Sequence, residues 1–123
     1  MKTTYQTGIA GEQAAAAYLT AKYGMKLLET RCRTKAGEID LIMLDGDTVV
    51  FVEVKTRMNA APGTGLMAVD RKKQLRISRA AVLYLMRKQW LNRSVRFDVT
   101  EVSGSQVIHI SNAFQPGGLF YGS

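Results

Sequence analysis

Apolar residues between Thr4 and Tyr23 recur as Tyr5, Ile9, Ala16, Leu19 and Tyr23, spacings that keep one helical face inward in an alanine-rich segment. Gly24 suits the end of that helix, because glycine reaches the left-handed conformation of a closing turn without steric cost. Three strand-like runs follow, KLLETRCR from Lys26, GEIDLIML from Gly37 and TVVFVEVKT from Thr48, and the Asp45-Gly46-Asp47 segment between the last two predicts a tight hairpin. Met58 to Val69 holds Pro62, Gly63 and Gly65 and reads as a loop. A second helix is predicted from Asp70, suited to its cap or first turn, to about Gln89, with Ile77, Ala81 and Tyr84 on its core face and Arg87 and Lys88 near its end. VRFDVTEV and QVIHIS then read as two strands joined across Ser103 to Ser105, before a tail containing Phe114, Pro116, Phe120 and Tyr121. The order αβββαββ predicts an α/β fold, a mixed sheet with a helix on each face, in one domain over residues 1–123.

Charges interrupt the most apolar of these runs. Side chains alternate along a strand, so Glu38 and Asp40 share a direction, as do Glu53 and Lys55. With Gly46 and Asp47 central in the turn, Asp45 pairs with Thr48, and counting back sets Asp40 opposite Glu53 and Glu38 opposite Lys55. A turn centred on Asp45 and Gly46 moves the partners by two and keeps the face. Directly opposed Cβ atoms stand about 4.5–5.5 Å apart and like charges there are destabilising, so two facing carboxylates need a cation. A hard ion such as Mg²⁺ suits oxygen ligands, polarises a phosphoryl oxygen and makes hydroxide available near neutral pH. Lys55 would orient the water or stabilise charge building on phosphorus. The same residues also fit a solvated strand face on which Glu38 and Lys55 pair while Asp40 and Glu53 look outward. Glu12 lies on the stripe of Tyr5, Leu19 and Tyr23, where a carboxylate is rarely left unpaired; it also reads as a first-turn acid favoured by the helix dipole, or as a surface residue.

Composition narrows the partners. The 123 residues are 46% hydrophobic and 22% charged, as in ordinary globular domains. Seventeen Lys and Arg against ten Asp and Glu give +7 and a pI near 9.8, which attracts polyanions, nucleic acid first, although excess charge also serves solubility. Lys72, Arg76 and Arg79 follow at steps of four and three beside Arg71 and Lys73, a stripe able to track phosphates or simply to face solvent. Arg57 and the glycine loop to Gly65 would lie near the acidic pair. No aromatic cluster suited to stacking single-stranded bases is evident, so recognition by shape and phosphate fits better. Cys32 is the only cysteine and His109 the only histidine, which excludes an intrachain disulfide and speaks against zinc. Cys32 reads as a buried or half-buried small residue, His109 as structural and Trp90 as a packing anchor. The N-terminus lacks an apolar signal core, and the run Ala80 to Met86 falls far short of the roughly 20 residues that span a bilayer, so a cytoplasmic protein without a membrane partner is expected.

Asp40, a turn, then Glu53-Val54-Lys55 looks like the Asp…Glu-x-Lys signature of the restriction-endonuclease-like nuclease superfamily. GxxGExxAxxYL from Gly8 to Leu19, GEIDLI from Gly37, VFVEVKTR from Val50, RFDV from Arg96 and NAF from Asn112 together resemble the uncharacterised YraN-type bacterial family, almost end to end. That family is similar in pattern to Holliday-junction resolvases, which also carry a glutamate on the first helix. The resemblance implies a restriction-endonuclease-like mixed sheet, metal ligation by Asp40 and Glu53 with the main-chain carbonyl of Val54, a supporting carboxylate in Glu12, and Lys55 as the catalytic lysine. It assigns Glu38 no role. The chain departs from the family's pattern at Thr30, where asparagine is common, and at Thr64, where an aromatic often precedes the glycine; both bear on substrate contacts more than on metal binding. The expected function is Mg²⁺- or Mn²⁺-dependent hydrolysis of phosphodiester bonds in structured or branched DNA by Asp40, Glu53, Lys55 and Glu12, with Arg57, Gly65, Lys72, Lys73, Arg76 and Arg79 contacting nucleic acid. The alternatives are a non-catalytic nucleic-acid-binding protein with the same fold and an interaction module that meets an acidic protein. Resolvases act as dimers, so the analogy implies a homodimer, for which apolar surface in the C-terminal tail would serve.

Overall fold

The computed structural model describes residues 4–57 and 69–115, the side chains of residues 4 and 5 apart. Helix α1 spans Thr4–Tyr23, strands β1 to β3 span Lys26–Thr34, Gly37–Asp45 and Thr48–Thr56, helix α2 spans Arg71–Lys88, and β4 and β5 span Val95–Ser103 and Gln106–Ile110. This is the αβββαββ order and the mixed α/β sheet expected from the sequence. The strands lie in the order β1-β2-β3-β4-β5 and every neighbouring pair is antiparallel except β3 with β4. That parallel pair requires a crossover, which α2 supplies. Among the described residues no helix is long and apolar enough to cross a membrane.

Each sheet face carries its own core. Ile42, Phe51, Phe97 and Val99 pack against Ile77, Ala81 and Tyr84 of α2, with Phe51 stacked on Phe97 and edge-on to Tyr84. Leu41, Met43, Val50 and Val52 pack against Ala15, Ala16 and Leu19 of α1. Tyr23 differs from expectation: it is 45% exposed, and the buried stripe of α1 runs through Gly11, Glu12, Ala15, Ala16 and Leu19 instead. Small residues let α1 approach the sheet closely, and the bulky Tyr23 ring lies beside the Tyr18 and His109 rings. Tyr5, and the loop residues from Met58 to Ala68, lie outside what can be described of side chains; of the tail, so do Pro116, Phe120 and Tyr121. Phe114 is buried and stacked on Phe97, so it belongs to the α2-side core and not to a free tail surface.

Asp70 caps α2, its side chain accepting from the Lys73 N–H at 2.8 Å, and Gly24 closes α1 at φ 70°. Gly11 marks the tightest approach: a Cβ there would overlap Oγ1 of Thr56 at the end of β3. Gly11→Ala is therefore expected to destabilise the fold by about 1–3 kcal/mol through overpacking. Adding Thr56→Ala should recover most of that loss in denaturant unfolding; a double variant no more stable than the single one would place the strain elsewhere.

Candidate active site

The hairpin register is the first of the two expected: Asp45 pairs with Thr48 around Gly46, whose φ is 60°, and the ladder runs back to Leu41 with Val52. There the strands part. The Asp40 carboxylate accepts from the Val54 N–H at 2.8 Å, taking the place of a main-chain acceptor. Strict alternation also breaks here, since Ile39 and Ile42 serve the α2-side core while Leu41 and Met43 serve the other. A side chain at this break caps the splayed end of β3 and meets the next acid on that strand.

That acid is Glu53, only 4% exposed. Burial, then the charge of Glu53 and the hydrogen bond it shares with Asp40, push the Asp40 carboxyl up to about 8, against which the Val54 N–H works in the opposite direction. The two acids therefore converge as the sequence implied. Two ammonium groups face Glu53 Oε2, Lys55 Nζ at 3.2 Å and Lys73 Nζ at 3.0 Å. Lys55 reaches it from the same strand face, whereas Lys73 comes from the first turn of α2. The helix dipole disfavours a cation there, and Glu53 offsets that cost. Lys73 was expected to touch nucleic acid; the structure turns it onto Glu53.

The supporting groups depart further from expectation. Glu38 does not oppose Lys55: it pairs with Arg33 at 3.2 Å and lies 3.9 Å from Arg31, because the β2–β3 ladder has ended and β1 is its remaining neighbour. Glu12 is buried at 8% exposure, as its stripe suggested, and Oε1 accepts from Arg31 Nε at 2.9 Å. Burial raises the Glu12 carboxyl against the pull of Arg31, with small contributions from Glu38 and Glu53. Glu12 thus lies within the field of the acidic pair but outside its contact shell, and among the described residues no three His, Cys, Asp or Glu side chains cluster tightly enough to share one ion. Arg31, which sequence reasoning missed, holds φ at 47°, a conformation that costs a non-glycine residue about 1–3 kcal/mol. Nothing in a strand pattern signals it.

Arg57 follows the end of β3, its main-chain N–H donating to the Val102 carbonyl at 2.8 Å, and its Nε is buried without a hydrogen-bond partner among the described residues. Lys72, Arg76 and Arg79 are exposed along α2, as expected, and the Arg76 stem lies over Gly37. Gly65 lies outside the described residues. His109 is structural: its ring bridges Thr100 and Asp98 at 2.7 and 2.8 Å.

The uncharacterised protein family UPF0102 matches residues 11–102, which contain Glu12, Arg31, Asp40, Glu53, Lys55 and Lys73. A UPF0102 protein of Syntrophus aciditrophicus is 44% identical over 126 residues, covering 99% of this chain and 96% of that one. Another, of Geobacter sulfurreducens, is 41% identical over 113 residues and covers 88% of each. Among solved structures, the crystal structure of SSO0001 aligns with a TM-score of 0.47 at 12% identity over 92% of this chain. Pyrococcus furiosus SfsA in complex with Ca²⁺ aligns with a TM-score of 0.37 at 14% identity over 88%. The chain spans 52% and 63% of those two proteins.

Proposed function

Because the chain belongs to the UPF0102 family, the YraN-type family, whose description assigns no reaction, we propose its function from the site itself: metal-dependent hydrolysis of phosphodiester bonds in structured DNA. The observation that carries this reading is the contact of half-buried Asp40 with buried Glu53, with Lys55 against it. Two carboxylates in hydrogen-bond contact cannot both ionise at low cost, and a divalent cation is the counter-charge that lets them. Asp40, Glu53 and the Val54 carbonyl would hold Mg²⁺ or Mn²⁺. When bound, such an ion supplies a Lewis acid and lowers the pKa of a water. Lys55 Nζ, fixed by Glu53, orients the attacking water and stabilises charge on the phosphoryl oxygens. Lys73 holds Glu53 from the α2 side, and Arg31 holds Glu12 near the pair.

Helix α2 supports a nucleic-acid substrate. Its 18 residues contain seven Lys or Arg and no acid, and three of the cations occupy the first turn, against the helix dipole. Glu53 offsets that cost for Lys73; for Arg71 and Lys72, which are exposed, a polyanion favours the placement. The second reading, a nucleic-acid-binding protein without catalysis, is favoured by the same Lys73 and Arg31, which already neutralise Glu53 and Glu12.

Wild type and Glu53→Gln, incubated with duplex, single-stranded, flapped and four-way DNA and with matching RNA in Mg²⁺ or Mn²⁺, separate the two. Hydrolysis requires cutting by wild type alone with binding by both; binding by both without cutting by either selects the second reading. A further expectation concerns stability. In chelator, Asp40→Asn should raise the melting temperature, since it removes the half-buried carboxylate that faces buried Glu53. Mg²⁺ should then raise wild type but not the variant in thermal scans. An equal response of both proteins would show that the ion binds elsewhere.

A further inference from the structure

A groove of about 530 Å³, away from the acidic pair, lies between the β1–β2 turn and the C-terminal half of α2, lined by Arg33, Thr34, Lys35, Leu83 and Arg87. Three of its five residues are cations. Arg33 and Arg87 are 88% and 55% exposed in their side chains and lean on Glu38 and Glu29, while Lys35 makes no ion pair among the described residues. Thr34 Oγ1 accepts from the Ala36 and Gly37 N–H groups and donates to the Gly37 carbonyl, which fixes the turn that carries Lys35 outward.

The groove continues a line of charge. Lys72, Arg76, Arg79, Leu83 and Arg87 follow at steps of four, three, four and four, which places them on one side of α2. Lys72, Arg76 and Arg79 have no carboxylate partner among the described residues. The helix starts at the acidic pair, where Lys73 meets Glu53, passes Arg76 over Gly37 and ends at the groove. From Lys72 to Arg87 the rise is about 22 Å at about 1.5 Å per residue. One DNA strand presents a phosphate about every 3.4 Å along the axis, so this span follows roughly six phosphates.

Resting on the nuclease reading above, we propose that this groove is a second phosphate-binding subsite, which holds one backbone strand of a duplex flank roughly six nucleotides from the scissile bond. The ligand is the phosphodiester backbone of nucleic acid. Arg33, Lys35 and Arg87 contact its phosphate oxygens, and Leu83 gives a sugar ring an apolar surface. The substrate is thereby a nucleic acid with a paired arm long enough to reach from the carboxylates to the β1–β2 turn, and an arm too short loses these contacts.

The test is fluorescence anisotropy in chelator, so that affinity is read without cutting, with labelled duplexes of about 6 and about 20 base pairs. For the long duplex, the Arg33→Ala/Lys35→Ala double variant is expected to bind about 30-fold more weakly at about 0.15 M salt, and its log–log salt slope to fall by about 1.8, two phosphate contacts' worth. The short duplex should bind wild type and variant alike. Lys35→Glu alone, a change at an exposed residue without an ion pair, should weaken the long duplex in the same direction with an unaltered melting temperature. An unchanged slope on the long duplex overturns the subsite, as does an equal loss on both lengths, which would put the contact at the acidic pair. Absence of cleavage together with the length-dependent loss leaves the subsite standing and removes only the hydrolytic reading.

Discussion

Lys55→Ala is expected to lower cleavage of the preferred DNA by about 10²–10³-fold while leaving its affinity within a few-fold. The side chain is 23% exposed and its ammonium sits 3.2 Å from Oε2 of the buried Glu53, at the open edge of the acidic pair. A preorganised charge in a partly dry site stabilises developing negative charge far more than a solvated lysine does, and its removal weakens the transition state more than the ground state. Lys73 provides the internal control. It meets the same oxygen at 3.0 Å but from α2, as a positioning residue. Lys73→Ala should cost about 10-fold, less than Lys55→Ala, and Lys73→Arg should restore most of it because any cation in the first turn of α2 can hold Glu53. The measurement is single-turnover cleavage at saturating enzyme. Equal losses from both lysines, or full activity without Lys55, would remove the assignment of Lys55 to the chemistry.

Asp98→Ala is expected to cost about 3–5 kcal/mol and to lower the melting temperature by roughly 10–20 °C. Asp98 is fully buried and accepts four hydrogen bonds: from Arg96 Nε and Nη2 at 2.9 and 3.0 Å, from His109 Nε2 at 2.8 Å and from the Asn112 N–H at 2.9 Å. Arg96 reaches on to Asp45 beside the β2–β3 turn at 3.1 Å. A ring protonated on Nε2 lets His109 donate to Asp98 and accept from Thr100 at once. Truncation leaves the dry His109 ring and the Asn112 N–H without an acceptor and takes from the part-buried Arg96 one of its two carboxylate partners, which costs more than the hydrogen bonds themselves. The pH dependence has a definite sign. Burial works to raise the Asp98 carboxyl, but the bonds from His109, Arg96 and Asn112 outweigh it and hold it below its ordinary value of 3.8. A depressed carboxyl stabilises fully above its unfolded value and loses that contribution as pH falls through the lower, folded one. Urea unfolding of wild type should therefore show a steep acid limb below pH about 4 that is shallower in Asp98→Asn. Parallel acid limbs would mean that other carboxylates govern acid unfolding.

Local pattern alone determined every helix and strand, since a 3.6-residue or two-residue period and its breaking glycines act within a few neighbours. It also put Asp40 on the face that carries Glu53, because burial of the apolar face forbids a one-residue slip; it left open a shift of two residues, and only the folded hairpin, pairing Asp45 with Thr48, chose between those registers. What it did not contain was who would meet these acids. Alternation from Gly37 onward put Glu38 against Lys55, yet the strands part after Leu41 and Asp40 caps Val54 instead, so Glu38 turns to Arg33. Lys73 looked like one more basic residue on a helix face until the crossover between the parallel strands β3 and β4 laid the first turn of α2 over Glu53. Arg31 and Glu12, 19 residues apart, found each other only through the docking of α1 on the sheet. Periodicity reports which face a side chain takes; ion pairs between elements depend on how those faces are set against each other, and packing of the whole chain decides that.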